Sequence, residues 1–393
     1  MERVISLFNN YYFFVNALRI IIRGVAFAAL LFLFNYPIFA DSFDIRALWV
    51  VRDHIVNPDK IDNILEFASK NNYNHLFVQI RGRGDAYYSS RLVPRSHLLL
   101  GTDFDPLKYI INKARRYNIA IHAWFNVYYL WSSLDLPSQQ DHLLYKHTSW
   151  LDNNFPDPID VKNTMKAVKK DRKANGEGFY LAPTHPEVEA HLQMVITELV
   201  QNYKLDGFHF DYIRYHAKGW GLNQVGMKLF FNHTVSIPGL PSLEVKEKPT
   251  FNDYKMKAIT NFIRKASTRI KAYQPYYIVS AAVKPNLNNA REHFGQEWDV
   301  WLTGRYIDWA VPMNYATDLN NFNNNIRIMK DNLPFQYMDR IIMGVAVYNQ
   351  NPRSAGQKIY NTGKNDFGGV SIFSYTVFKQ KPSYANKLVK YLK

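Results

Sequence analysis

A chain of 393 residues with 47% hydrophobic and 21% charged residues has the make-up of a globular protein, not of a disordered or fibrous one. The formal net charge of +15 suits an acidic polymer, but no zinc finger, basic zipper or RNP-like strand accompanies it, so nucleic acid is not an expected partner. The absence of cysteine excludes disulfides, thiolate metal sites, a cysteine nucleophile and a lipidated N-terminal cysteine.

At the N-terminus, Arg19 and Arg23 precede an apolar run from Val25 to Phe34, and Ile38-Phe39-Ala40 closes it on a small residue. A positive flank, a short apolar stretch and a small-residue end are the parts of a secretory signal. The run is about half of the ~20 residues a membrane span needs. Residues 1–40 are therefore expected to be a signal peptide cleaved after Ala40, leaving 41–393 as a periplasmic or secreted domain. An uncleaved anchor starting at Ile20 is the alternative.

From Arg46 onward the pattern is strand, loop, helix, repeated. Residues 46–52 are short, apolar and β-branched, as in a strand buried on both faces. Residues 59–72 carry Ile61, Ile64, Leu65 and Ala68 at helical spacing, with Pro58 near the start. The second strand is expected at 75–80, a helix at 106–117 with Asp105 as N-cap, and the third strand at 119–127. A long polar stretch, about 131–177, then interrupts the rhythm. Its basic run from Lys162 to Lys173 reads as a solvated loop, or as an electrostatic guide for a carboxylate-bearing glycan. A helix at 186–203 leads to the fourth strand at 207–212, followed by a second irregular stretch at 217–250. After a helix at 251–272, strands five to eight are expected at 277–283, 307–315, 340–347 and 369–375. Eight strands alternating with helices predict an α/β fold, a single (β/α)8 TIM barrel with inserted loops after strands three and four. An open doubly wound sheet would carry a glycine-rich phosphate turn after its first strand, and Arg52-Asp53-His54 is not one.

In such barrels the active site lies at the C-terminal ends of the strands. Asp53 and His54 follow strand one; Arg81, Arg83 and Asp85 follow strand two. His122, Trp124 and Asn126 share one face of strand three, and His209 and Asp211 one face of strand four, with Arg214 and Tyr215 beyond. Asn314 and Tyr315 end strand six, with Asp318 just after. No GxSxG elbow and no HExxH motif is present. Glycoside hydrolysis needs two carboxyl groups, one to protonate the leaving oxygen and one to act as base or nucleophile. Asp211 is the first candidate, with Asp85 or Asp318 as its partner. Arg81, Asn126, Trp124, His209, Arg214, Tyr315 and Asp53 are candidate substrate contacts. No metal and no cofactor is expected.

Several of these segments are recognisable together. Val78-Gln-Ile-Arg-Gly-Arg-Gly-Asp-Ala-Tyr-Tyr-Ser89, His122-Ala-Trp-Phe-Asn126, Leu181-Ala-Pro-Thr-His-Pro-Glu-Val188, Leu205-Asp-Gly-Phe-His-Phe-Asp-Tyr212 and Val311-Pro-Met-Asn-Tyr315 resemble, in order, motifs of the glycosyl hydrolase-like 10 family of bacterial envelope proteins. The resemblance runs from about Arg46 to Tyr375. It implies a TIM-barrel glycosidase acting on a cell-envelope polysaccharide, with peptide-free peptidoglycan strands as the first expectation. Arg81 and Arg214 would then bind the lactyl carboxylate of a muramic acid. Two departures stand out: Ala182 replaces the family's usual Asn, and Val283-Lys-Pro285 replaces a Ser-Pro-Phe-like turn, which points to a different subsite. Residues 206–213 also have the outline of the chitinase motif DGxDxDxE, but Ile213 stands where the acid would be, which excludes proton donation from that position. The competing reading is a catalytically inactive, glycan-binding barrel serving as a cell-wall adaptor.

Overall fold

The computed structural model of the chain describes residues 43–154, 159–170, 177–234 and 250–392. The expected signal peptide, 1–40, and residues 171–173 of the basic run lie outside them.

Among the described residues ten strands run in chain order: β1 (Ile45–Val50), β2 (His75–Arg81), β3 (Ala120–Asn126), β4 (Tyr129–Trp131), β5 (Phe179–Tyr180), β6 (Gly207–Asp211), β7 (Ile278–Val283), β8 (Trp309–Pro312), β9 (Ile342–Ala346) and β10 (Gly369–Phe373). All but β4 and β5 form one parallel sheet in the order β8-β7-β6-β3-β2-β1-β10-β9. Parallel bridges Ala310↔Ile341 and Met313↔Gly344 join its two ends, so the sheet closes into a (β/α)8 barrel with helices between the strands. No helix among the described residues is long and apolar enough to cross a membrane.

Local chemistry explains the helix starts. Asn57 caps the helix Pro58–Lys70 by accepting from Lys60 N, and Asp105 caps Pro106–Ala114 by accepting from Lys108 N at 2.9 Å. Both helices begin on proline, whose missing N–H is an orphan donor in the first turn anyway. The irregular stretch expected after the fourth barrel strand contains a helix, Gln224–Thr234. Its start is held by Asn223 Oδ1, which accepts from Val225 N and Gly226 N. Gly226 reads as a helix breaker, yet it sits there because Thr184 packs against its α-carbon; a Cβ would lie 2.0 Å from Thr184 Oγ1. The stretch after the third strand holds β4, β5 and the helices Leu143–Lys146 and Val161–Lys170.

Inside the barrel, strand alternation stacks side chains in layers. Trp49 packs edge-on against Phe77, Trp124 and His209, while His209 stacks on Phe77 with ring centroids 4.1 Å apart. His75 Nδ1 pairs with His122 Nε2 at 2.9 Å, and His209 Nδ1 with Ser280 Oγ at 2.8 Å. Burial holds these rings neutral, lowering the His75 pKa to about 4 and that of His209 to about 3. An unfolded chain protonates the same rings below about pH 6.5. Between that pH and 4 the unfolded state therefore binds more protons, and stability falls as the pH falls. Urea midpoints are expected to drop steadily from pH 7 to pH 4, with a loss of a few kcal/mol, and His209→Gln to flatten that slope. A wild-type profile that stays level over this range would contradict the buried neutral stack.

Candidate active site

A cavity of about 600 Å³ opens at the C-terminal ends of the barrel strands. All eight barrel strands contribute to it directly or through the residues that follow them, from Trp49 and Arg52 round to Tyr348 and Phe373. A larger groove of about 920 Å³ lies between the helices Pro186–Asn202 and Phe251–Tyr273. It is on the outer helical layer and gathers none of the strand-end residues, so the strand-end cavity is the candidate site.

Asp211 ends β6 and is buried in the cavity wall, 5% exposed. Tyr212 N donates to its Oδ1 at 2.7 Å and Trp124 Nε1 to its Oδ2 at 3.1 Å. Trp124 Nε1 is shared with Asn126 Oδ1 at 2.9 Å, and Asn126 Nδ2 donates to Gly82 O. This chain fixes the carboxyl from β3 and from the loop after β2. Burial raises the Asp211 pKa, against the pull of Arg214 and of the two N–H donors. Tyr212 adopts φ 48°, a left-handed conformation that is rare for a bulky residue. That turn aims its N–H back at Asp211 and lays its ring on Tyr129, 4.2 Å between centroids.

The second carboxylate in the cavity is Glu177. It belongs to the insertion after β3, whose two ends are drawn together by antiparallel pairing of β4 with β5, Tyr129 opposite Tyr180. Gly178, at φ +140°, makes the entry into β5; a Cβ there would lie 2.0 Å from Trp131 O. Glu177 accepts from Tyr180 Oη at 3.3 Å and is exposed.

Asn126, Trp124, Arg214 and Tyr315 also line the cavity, and Tyr315 presents a buried hydroxyl with no protein partner. The remaining residues expected at the site stand elsewhere. Asp318 is exposed and caps the helix Leu319–Asn332, accepting from Asn321 N and Asn321 Nδ2, both at 2.8 Å. Asp85 is buried in its loop, where Oδ1 accepts from Arg83 N at 2.9 Å; it holds the loop that presents Arg83 to the cavity. Asp53 is exposed in a 3₁₀ turn, while its neighbour Arg52 faces the cavity. His209 is enclosed in the barrel, a layer below Asp211. Arg81 is turned out of the barrel by a β-bulge between Gln79 and Arg81, so that its guanidinium lies 4.9 Å over the Phe125 ring and donates to Asn126 O and Val127 O. Burial lowers its pKa to about 10. Its role is to brace the end of β3.

Glu177 lines the cavity although the sequence did not single it out, and Lys284, noted in the sequence as part of the 283–285 departure, lines it too. The paired apolar segments 129–131 and 179–180 were the readable sign that the insertion returns over the barrel. Lys284 follows β7 directly and lines the cavity. By contrast, Ala182 is fully buried and does not line the cavity; its N–H donates to Trp150 O at 2.8 Å. Among the described residues no group of three or more His, Asp or Glu side chains converges as a metal site would require.

A (β/α)8 barrel whose strand ends surround two carboxylates, several cations and aromatic faces is built like the barrel of a glycoside hydrolase. The chain belongs to the glycosyl hydrolase-like 10 family, whose model matches residues 44–360. It is 23% identical over 334 residues to glycosyl hydrolase YngK of Bacillus subtilis (strain 168), covering 72% of this chain and 58% of that one. It is 27% identical over 184 residues to glycosyl hydrolase DigH of Escherichia coli (strain K12), covering 42% of this chain and 36% of that one. The matched region thus spans little more than half of the one relative and about a third of the other. Among solved structures, the fold is shared with the PgaB (BpsB) glycoside hydrolase domain from Bordetella bronchiseptica, at a TM-score of 0.65 and 13% identity over 89% of this chain and 99% of that one.

Proposed function

We propose that this protein is a glycoside hydrolase of the cell envelope, cleaving glycosidic bonds in a polysaccharide, with peptide-free peptidoglycan strands as the favoured substrate. The observation that carries the reading is the presence of Asp211 and Glu177 in one cavity at the strand ends. Asp211, buried and with its pKa raised, protonates the leaving glycosidic oxygen. Glu177, exposed at the mouth, is the base that activates water or the nucleophile that attacks the oxocarbenium-like centre. Trp124, Tyr212, Tyr315 and Tyr348 offer ring faces for the sugars. The charged flank, short apolar run and Ala40 end of the N-terminus support work outside the cytoplasm.

The test is to incubate the purified protein with peptide-stripped peptidoglycan strands, and with chitin as a control, and to read soluble products by mass spectrometry. New reducing ends from the strands support the reading. Binding without any product would favour the inactive adaptor instead.

A further inference from the structure

We propose that Lys284 and Arg214 form a subsite for a carboxylate carried by the glycan, which makes this cleft selective for an acidic polysaccharide. The inference rests on the glycosidase reading above and names the substrate class within it.

Both cations line the cavity that holds Asp211. They share one aromatic floor: Lys284 Nζ lies 4.3 Å from the Phe294 ring centroid and the Arg214 guanidinium carbon 5.4 Å from it. The Lys284 backbone is clamped on both sides, its N–H donating to Gln296 Oε1 at 2.9 Å and its carbonyl accepting from Trp298 Nε1 at 3.0 Å. The ammonium itself has no hydrogen-bond acceptor among the described residues. Arg214 is only slightly better placed. Its NH1 reaches two carbonyls, Tyr215 O at 3.3 Å and His216 O at 3.4 Å, and its buried Nε has no partner.

Neither cation forms an ion pair with a carboxylate of the protein among the described residues. Two charges held this way have lost much of their hydration, and Asp211 and Glu177 favour them only through space, without a contact ion pair. The strain on Lys284 is visible in its pKa, which burial and then the Arg214 charge bring down to about 8. An incoming carboxylate supplies both acceptors and a counter-charge in contact; a neutral sugar supplies acceptors without the charge. A lactyl ether and a uronic acid present the same group, and the experiment separates them.

The full chain, with Lys284→Met and Lys284→Arg variants, is assayed on peptide-free peptidoglycan strands, on the same strands with carboxyl groups reduced to alcohols, and on a uronate-bearing glycan. Dissociation constants for oligosaccharides of each are measured by calorimetry. The wild type is expected to prefer an acidic glycan over the reduced strands, in KM and in Kd. Lys284→Met should shrink that preference by about tenfold to a hundredfold, the range of a lost charge-assisted hydrogen bond, and Lys284→Arg should restore most of it. Preference for the native strands names the lactyl group; preference for the uronate glycan names the uronic acid. Equal handling of acidic and reduced glycans by the wild type, or a ratio unmoved in Lys284→Met, overturns the subsite. If the wild type cleaves none of them the hydrolase reading fails, and the Kd ratio alone then decides the subsite.

Discussion

Asp211→Asn is expected to lower kcat on a cleavable strand by about a hundredfold to ten-thousandfold while leaving Tm at or above that of the wild type. The activity loss follows from removing a group that gives up a proton in the transition state; an amide cannot. The stability side follows from the site's own geometry. Both carboxyl oxygens accept N–H bonds, from Tyr212 and from Trp124. Asparagine keeps one of these and turns an NH₂ toward the other, which costs about 1 kcal/mol. Against that, the folded state disfavours the Asp211 carboxylate, because burial raises its pKa above the unfolded value. A carboxyl with a raised pKa contributes fully to stability below its unfolded pKa, and that contribution is lost as the pH rises through the folded value. At neutral pH the wild type therefore bears a penalty that the neutral amide does not. A site tuned for chemistry at the expense of stability should behave in this way. If Tm and activity fell together, Asp211 would be a structural residue.

The strand pattern was legible because each barrel strand is a short apolar run that declares itself locally, and Asp211 was legible because it ends such a run with inward parity. What was not legible was anything that depended on depth or on a contact across the chain. Parity places His209 on the inner face, but only the register with Ser280 sets it below the cavity floor. Arg81 has the expected position along β2, yet one bulged residue reverses which side it faces. Asp318 was open to another reading: an Asp three residues before Asn321 at a helix start is N-cap chemistry, and the cap accounts for its hydrogen bonds. Glu177 was unreadable as a site residue for a deeper reason. It lies 34 residues before Asp211 in a polar stretch, and only the β4–β5 pairing brings it over the barrel mouth.

That long-range placement makes Glu177→Gln the more exacting test. The substitution is expected to reduce kcat by about a hundredfold or more, and the shape of the pH profile separates this loss from a loss of shape. In the wild type, activity is expected to fall as the pH rises through the raised Asp211 pKa, because the acid then loses the proton it must give. Glutamine can neither attack nor take a proton, but it leaves Asp211 in place. The residual activity of Glu177→Gln should therefore keep that alkaline limb, whereas Asp211→Asn should lose it. Folding offers little confusion, because Glu177 is exposed and its backbone carbonyl, which accepts from Tyr129 Oη at 2.8 Å, is untouched by the change. A Glu177→Gln variant that stayed within about tenfold of wild-type kcat, a difference of only ~1.4 kcal/mol in the barrier, would remove Glu177 from the chemistry. The cavity would then hold one carboxyl for a reaction that needs two, and an acid without a base is the arrangement expected of a barrel that grips a glycan and leaves it whole.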